Sequence, residues 1–126
     1  MSQENVEIVR KLFEAYPRGE DVAGLFDPGV VWNPADEQPM EGLDEARAHV
    51  KRWESDWEQL DTKPEKFIDA GDRVVVTVHL AGRGRASGID VDARYYSVYT
   101  LHEGKITRMD EFADEQEALE AVGLSE

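Results

Sequence analysis

The chain has 126 residues, the size of one ordinary domain, and no cysteine, which excludes disulfides, thiolate chemistry and cysteine-type zinc sites. Its formal net charge of −14, from 28 acidic against 14 basic residues, repels phosphate backbones and anionic lipid, so nucleic acid and membrane surfaces are not expected partners. An apolar fraction of 40% with 9% aromatics is that of a globular protein, and no apolar run approaches the ~20 residues of a membrane span.

The start, Met1-Ser2-Gln3-Glu4, is polar and acidic and lacks the cationic and apolar stretches of a signal peptide, so a cytoplasmic location is expected. Residues 3–16 read as an amphipathic helix. Val6, Val9, Phe13 and Tyr16 recur at three- and four-residue steps, and Ile8 and Leu12 widen the stripe. Ser2 is the expected N-cap, and Pro17, which has no N–H to donate, stops the helix. Asp21 caps a short helix carrying Val22, Leu25 and Phe26. Asp27-Pro28-Gly29 reads as a turn, residues 30–33 as a short strand, and 34–42 as an irregular loop. Residues 43–60 read as a second helix with Ala46, Val50, Trp53, Trp57 and Leu60 on one face.

From residue 62 the period changes to two. Residues 63–70 read as a strand, and Arg73–Leu80 as a strongly β-branched strand in which Val74, Val76, Val78 and Leu80 alternate with Val75, Thr77 and His79. Residues 81–88 are Gly-rich and read as a hairpin loop. Residues 89–101 and 105–112 read as strands about the turn His102-Glu103-Gly104. Asp114, with Glu117 three positions on, caps a last short helix that ends at Gly123. Helices first and hairpin-linked strands after argue a single α+β domain over 1–126, with helices packed on one face of an antiparallel sheet. Both sheet faces carry apolar residues, which predicts a homodimer covering the outer one.

Three stretches carry a family resemblance: Arg18-Gly19-Glu20-Asp21 with Leu25-Phe26-Asp27; Val31-Trp32-Asn33-Pro34 followed by Glu41-Gly42; and Tyr99 to Ile106 running on to Glu111-Phe112 and the tail 117–121. In this order they resemble the SnoaL-like branch of the nuclear transport factor 2-like superfamily over nearly the whole chain. The resemblance implies a cone-shaped domain whose curved antiparallel sheet takes the N-terminal helices on its concave face, around a small-molecule pocket. It also implies dimerisation through the outer sheet face. The family includes cyclases, steroid isomerases and epoxide hydrolases, so the fold does not fix the reaction.

By this resemblance, Glu111 stands where the SnoaL-like cyclases place their acid/base. A carboxylate in an apolar pocket becomes a better base near neutrality. Alternation puts Thr107, Met109 and Glu111 on one face and Arg108, Asp110 and Phe112 on the other. The alternative is a glutamate paired with Arg108 or Arg94 at the sheet surface. The cyclases carry a histidine on the preceding strand where this chain has Ser97. The steroid isomerases resemble this chain at Asn33, where they place an aspartate, and at Phe13, where they place a tyrosine, so chemistry of that kind is not expected. Tyr99 and Tyr95, on the face of Ser97, can wall a pocket and donate to an enolate or carbonyl. Asn33, Phe13, Tyr16, Phe26, Trp53, Trp57, His79 and Met109 complete the candidate ligand contacts, each with core or turn packing as the alternative. No histidines share metal-ligand spacing, so neither metal nor cofactor is expected. The expected function is a cofactor-independent isomerase, cyclase or hydrolase acting on a small apolar carbonyl compound. The alternative is a non-catalytic ligand-binding or dimeric structural domain.

Overall fold

The computed structural model describes residues 2–35 and 38–124, with the backbone alone at Ser2. The expected Ser2 side-chain cap, and Asp36 and Glu37 of the 34–42 loop, therefore lie outside the described residues. Helix α1 spans Ser2–Ala15 and gives way at Pro17 to a single tight turn, Tyr16–Arg18. Another such turn, Ala23–Leu25, follows an aspartate turn in which Asp21 accepts from the Ala23 N–H at 3.0 Å. The remaining elements are β1 (Phe26–Asn33), β2 (Met40–Glu41), α2 (Leu43–Ser55), β3 (Trp57–Ala70), β4 (Arg73–Gly84), β5 (Asp90–His102), β6 (Lys105–Phe112) and α3 (Glu115–Ala121).

The six strands form one curled, unclosed sheet in the order β2-β1-β6-β5-β4-β3. All neighbours are antiparallel except β1 and β6, which run parallel. The Asp27-Pro28-Gly29 segment lies inside β1, where the β1–β6 register breaks between Phe26 and Val31. A bend inside a strand does here what the sequence assigns to a turn ahead of one.

The apolar stripe of α1 lies on the concave face. Val6 and Val9 meet Val74, Val76 and Val78 of β4, Tyr99 and Leu101 of β5, Ile106 of β6 and Val30 of β1. The outer face has its own cluster: Val75, Val98, Ile68, Tyr96 and Phe112 lie against Ala118 and Val122 of the α3 segment. This double burial explains the unbroken β-branched run Val74–Val78, and each such valine contributes roughly 1.5–3 kcal/mol. Helix α3 thus covers part of the apolar outer face from within the chain. Its ends follow the sequence reading. Asp114 accepts from the Gln116 N–H, and after Gly123 (φ 81°) the Leu124 N–H returns to the Leu119 carbonyl at 2.9 Å.

The expected helix 43–60 ends at Ser55, and Trp57 to Leu60 belong to β3. Strand pairing outweighs the helical spacing of Trp53, Trp57 and Leu60, because β4 runs on to Gly84 and pairs with Trp57 and Leu60. The 81–88 segment is therefore half strand. Its arginines are engaged: Arg83 pairs with Asp90 at 2.8 Å, and Arg85 donates to the Ser55 and Trp57 carbonyls at 3.1 and 2.9 Å, tying down the end of α2. Gly82 is required by this junction. A Cβ there would lie 2.5 Å from the Gln59 carbonyl oxygen and 2.9 Å from the Trp57 ring. Gly82→Ala is expected to destabilise the fold by about 1–3 kcal/mol, read as a lowered urea midpoint. A midpoint equal to that of the unaltered chain would contradict this packing.

Candidate functional site

The site is built by alternation on three adjacent strands. On β5, Tyr95, Ser97 and Tyr99 point to the concave side with Leu101, while Arg94, Tyr96 and Val98 point outward. On β6, Met109 joins the concave core, and Glu111 follows two residues on. Register completes the arrangement. Ser97 is opposite Glu111, Tyr99 is opposite Met109, and Val76 of β4 is opposite Ser97. Glu111 therefore has Tyr99 as a diagonal neighbour and Tyr95 as the other one, within reach of a long side chain.

Helix α1 roofs this patch. The Phe13 ring stands edge-on to Tyr99 and to Phe67, with centroids 6.1 and 6.2 Å apart. Tyr99 is 6% exposed and Ser97 2%. Burial pushes the Tyr95 phenol well above its ordinary range, and the charge of Glu111 adds to the shift. Burial does the same to Tyr99, reinforced by Tyr95 and Glu111 and opposed by the Ser97 hydroxyl. Both phenols therefore stay protonated at neutral pH, as donors beside a carboxylate. The arginines considered as partners for Glu111 each hold another carboxylate. Arg94 holds Glu65 through two bonds of 2.6 and 3.0 Å, and Arg108 holds Asp110 at 3.0 Å.

The structure thus brings together Glu111, Tyr95, Ser97, Tyr99, Met109 and Phe13. It places other candidates apart from them. Asn33 donates to Asp110 at 2.7 Å, on the face opposite Glu111. His79 lies on the outer side with Thr77, its Nε2 3.0 Å from Asp92 Oδ1. Trp53 and Trp57 pack on each other, centroids 5.9 Å apart, across the α2–β3 junction. Phe26 packs on the core opposite Ile106, towards the start of β6. Tyr16 is 44% exposed and donates its hydroxyl to Glu54. Partial burial, and after it the Glu54 partner, raise its phenol too, but solvent screens the effect.

One residue that the sequence reading did not single out belongs to the patch. Trp32 is opposite Met109 in the parallel β1–β6 pair and follows Val30 of the core by two residues, so its indole faces the concave side. The ring meets His49 of α2 edge-on, centroids 4.9 Å apart. His49 also lines an open depression of about 640 Å³ with Gln38, Met40 and Arg52. The Trp32 Nε1–H is buried, and no described group accepts its hydrogen bond. An unpaired buried donor costs about 1–3 kcal/mol, so it calls for an explanation. Among the described residues no cluster of three histidine or carboxylate side chains could hold a metal, and no helix is long and apolar enough to cross a membrane.

The sequence model of the SnoaL-like domain matches residues 9–109, so the chain belongs to the SnoaL-like family. No curated protein matches it. Solved structures share the fold. A SnoaL-like protein from Jannaschia sp. CCS1 with a provisional polyketide-cyclase name is 26% identical, with a TM-score of 0.80 over 95% of this chain and 92% of that one. An NTF2-like protein of unknown function from Burkholderia pseudomallei K96243 is 21% identical, TM-score 0.79, over 95% and 98%. TerC, co-crystallised with polyporic acid, is 19% identical, TM-score 0.77, over 94% and 98%.

The raised phenols make a pH prediction. Below about pH 10 both folded and unfolded tyrosines are protonated, and their contribution to stability is complete. Above it the unfolded chain ionises while Tyr95 and Tyr99 do not, so stability falls as pH rises, by about 1.4 kcal/mol per pH unit per phenol. Urea unfolding between pH 8 and 11 should show a shallower fall in Tyr95→Phe and in Tyr99→Phe. An unchanged slope would mean that the phenols are solvated.

Proposed function

We propose that this SnoaL-like domain is an enzyme that moves a proton on a small, largely apolar carbonyl compound, with Glu111 as general base. The observation that carries this reading is the register that sets Glu111 opposite Ser97 and diagonal to Tyr95 and Tyr99, two phenols that burial keeps protonated, on one concave face. The carboxylate takes the proton from the carbon next to the carbonyl. The C–H electron pair moves to the carbonyl oxygen, and the enolate accepts hydrogen bonds from the phenols. Returned to a different carbon of a conjugated enolate, the proton completes an isomerisation; if the enolate carbon instead attacks a second carbonyl of the same molecule, a C–C bond closes the ring and the resulting alkoxide takes the proton back from Glu111. The provisional cyclase name of the Jannaschia relative supports this class, and TerC with polyporic acid supports a small organic ligand for the fold.

Ser97 favours a second reading. It stands where the cyclases carry a histidine, and a hydroxyl cannot take a proton at neutral pH, which suits a patch that binds without reacting.

Exchange of the methyl protons of acetophenone in deuterium oxide separates the two. The enzyme reading predicts protein-catalysed exchange that Glu111→Gln slows about 100-fold or more. Binding of acetophenone with no Glu111-dependent exchange would establish the second reading.

A further inference from the structure

We propose that the Trp32 indole N–H is the donor that the concave site offers to an oxygen acceptor of its ligand, a carbonyl or enolate oxygen on an apolar frame. The inference rests on the concave patch being a ligand site and adds the group that fixes the ligand's polar end.

Register places the donor. Trp32 is opposite Met109, so its indole shares the face of Met109 and Glu111, while its neighbour Asn33 is tied to Asp110 on the other side. Burial isolates it. The Nε1 atom is shut off from bulk solvent, and no described protein acceptor meets it. Its strand neighbours on this face, Val30 and Met109, offer no side-chain acceptor of ordinary strength, and the polar groups of the patch do not reach the Nε1 atom. A buried donor that no described group satisfies is one that a ligand oxygen can satisfy.

Orientation is fixed as well. The His49 ring packs edge-on at an interplanar angle of 88°, which holds the indole in place. His49 also borders the open depression beside β2, so the indole stands one side chain in from solvent. The chemistry is selective. An indole N–H donates and never accepts, and it does not ionise in the working range of a carboxylate base. Trp32 would therefore stabilise negative charge on the ligand oxygen without competing with Glu111 for the proton. It would favour an oxygen-bearing ligand over a hydrocarbon of the same shape.

The test uses the intact protein and two probes, acetophenone and ethylbenzene, which differ by the oxygen. The Trp32 indole resonance is identified in ¹⁵N spectra through its NOEs to the His49 ring. Acetophenone is expected to move that resonance downfield, ethylbenzene to leave it in place, and the ketone to bind about tenfold more tightly. In Trp32→Phe the preference should collapse to near unity while ethylbenzene still binds. If the Met109 methyl responds to both probes and the Trp32 N–H to neither, the concave site stands and the donor assignment falls. If no concave-face resonance responds to either probe, the site reading and this inference fall together. Should Trp32→Phe not fold, the spectra of the unaltered protein decide alone.

Discussion

Everything in this molecule depends on a two-residue alternation kept in register across β4, β5 and β6. Ser97 opposite Glu111 and Val76 opposite Ser97 commit every second residue to the concave side. A slip of one residue would carry Arg94, Tyr96 and Asp110 inward and Glu111 outward. Burial on both faces prevents that slip. Val74, Val76 and Val78 are held by α1, and Val75 and Val98 by α3. Packing on the outer face therefore helps to fix which carboxylate of β6 faces the concave side.

The same constraint accounts for the chemistry. The polar groups Glu111, Tyr95, Tyr99 and Ser97 are set among valines, Phe13 and Met109, where water is scarce. Desolvation keeps the phenols protonated and strengthens every charge–dipole contact they make. Around them the competing charges are sorted to the outside. Arg94 with Glu65, Arg108 with Asp110 and His79 with Asp92 all close on one another. Two arginine–carboxylate pairs of β5 and β6 thus lie on the outer face, and the phenol donors lie inside.

Much of this was legible in the sequence, because it rests on local periodicity. The alternation of β4 through β6 put Glu111 with Met109 and Tyr95 with Ser97 and Tyr99, and Asp114 and Gly123 marked α3. The misreadings have one physical source, which is partners distant in the chain. Trp57 and Leu60 repeat at helical spacing from Trp53, yet pairing with Gly84 and Gly82 makes them strand. The hydrogen bond of Asn33 to Asp110 likewise comes from the parallel partner strand, which no local pattern shows. The Trp32 donor had no signal in sequence at all, since an unpaired N–H is a property of everything that surrounds it.

Membership of the SnoaL-like family sets the frame, and within it register sets Glu111 diagonal to Tyr95 and Tyr99. The most direct measurement is ¹³Cζ NMR of the tyrosines through the carboxylate titration range, pH 3 to 7. If Glu111 shares the patch with Tyr95 and Tyr99, both resonances should move as a carboxyl group titrates, and that movement should vanish in Glu111→Gln. Resonances that stay flat, or that move equally in the variant, would contradict the site.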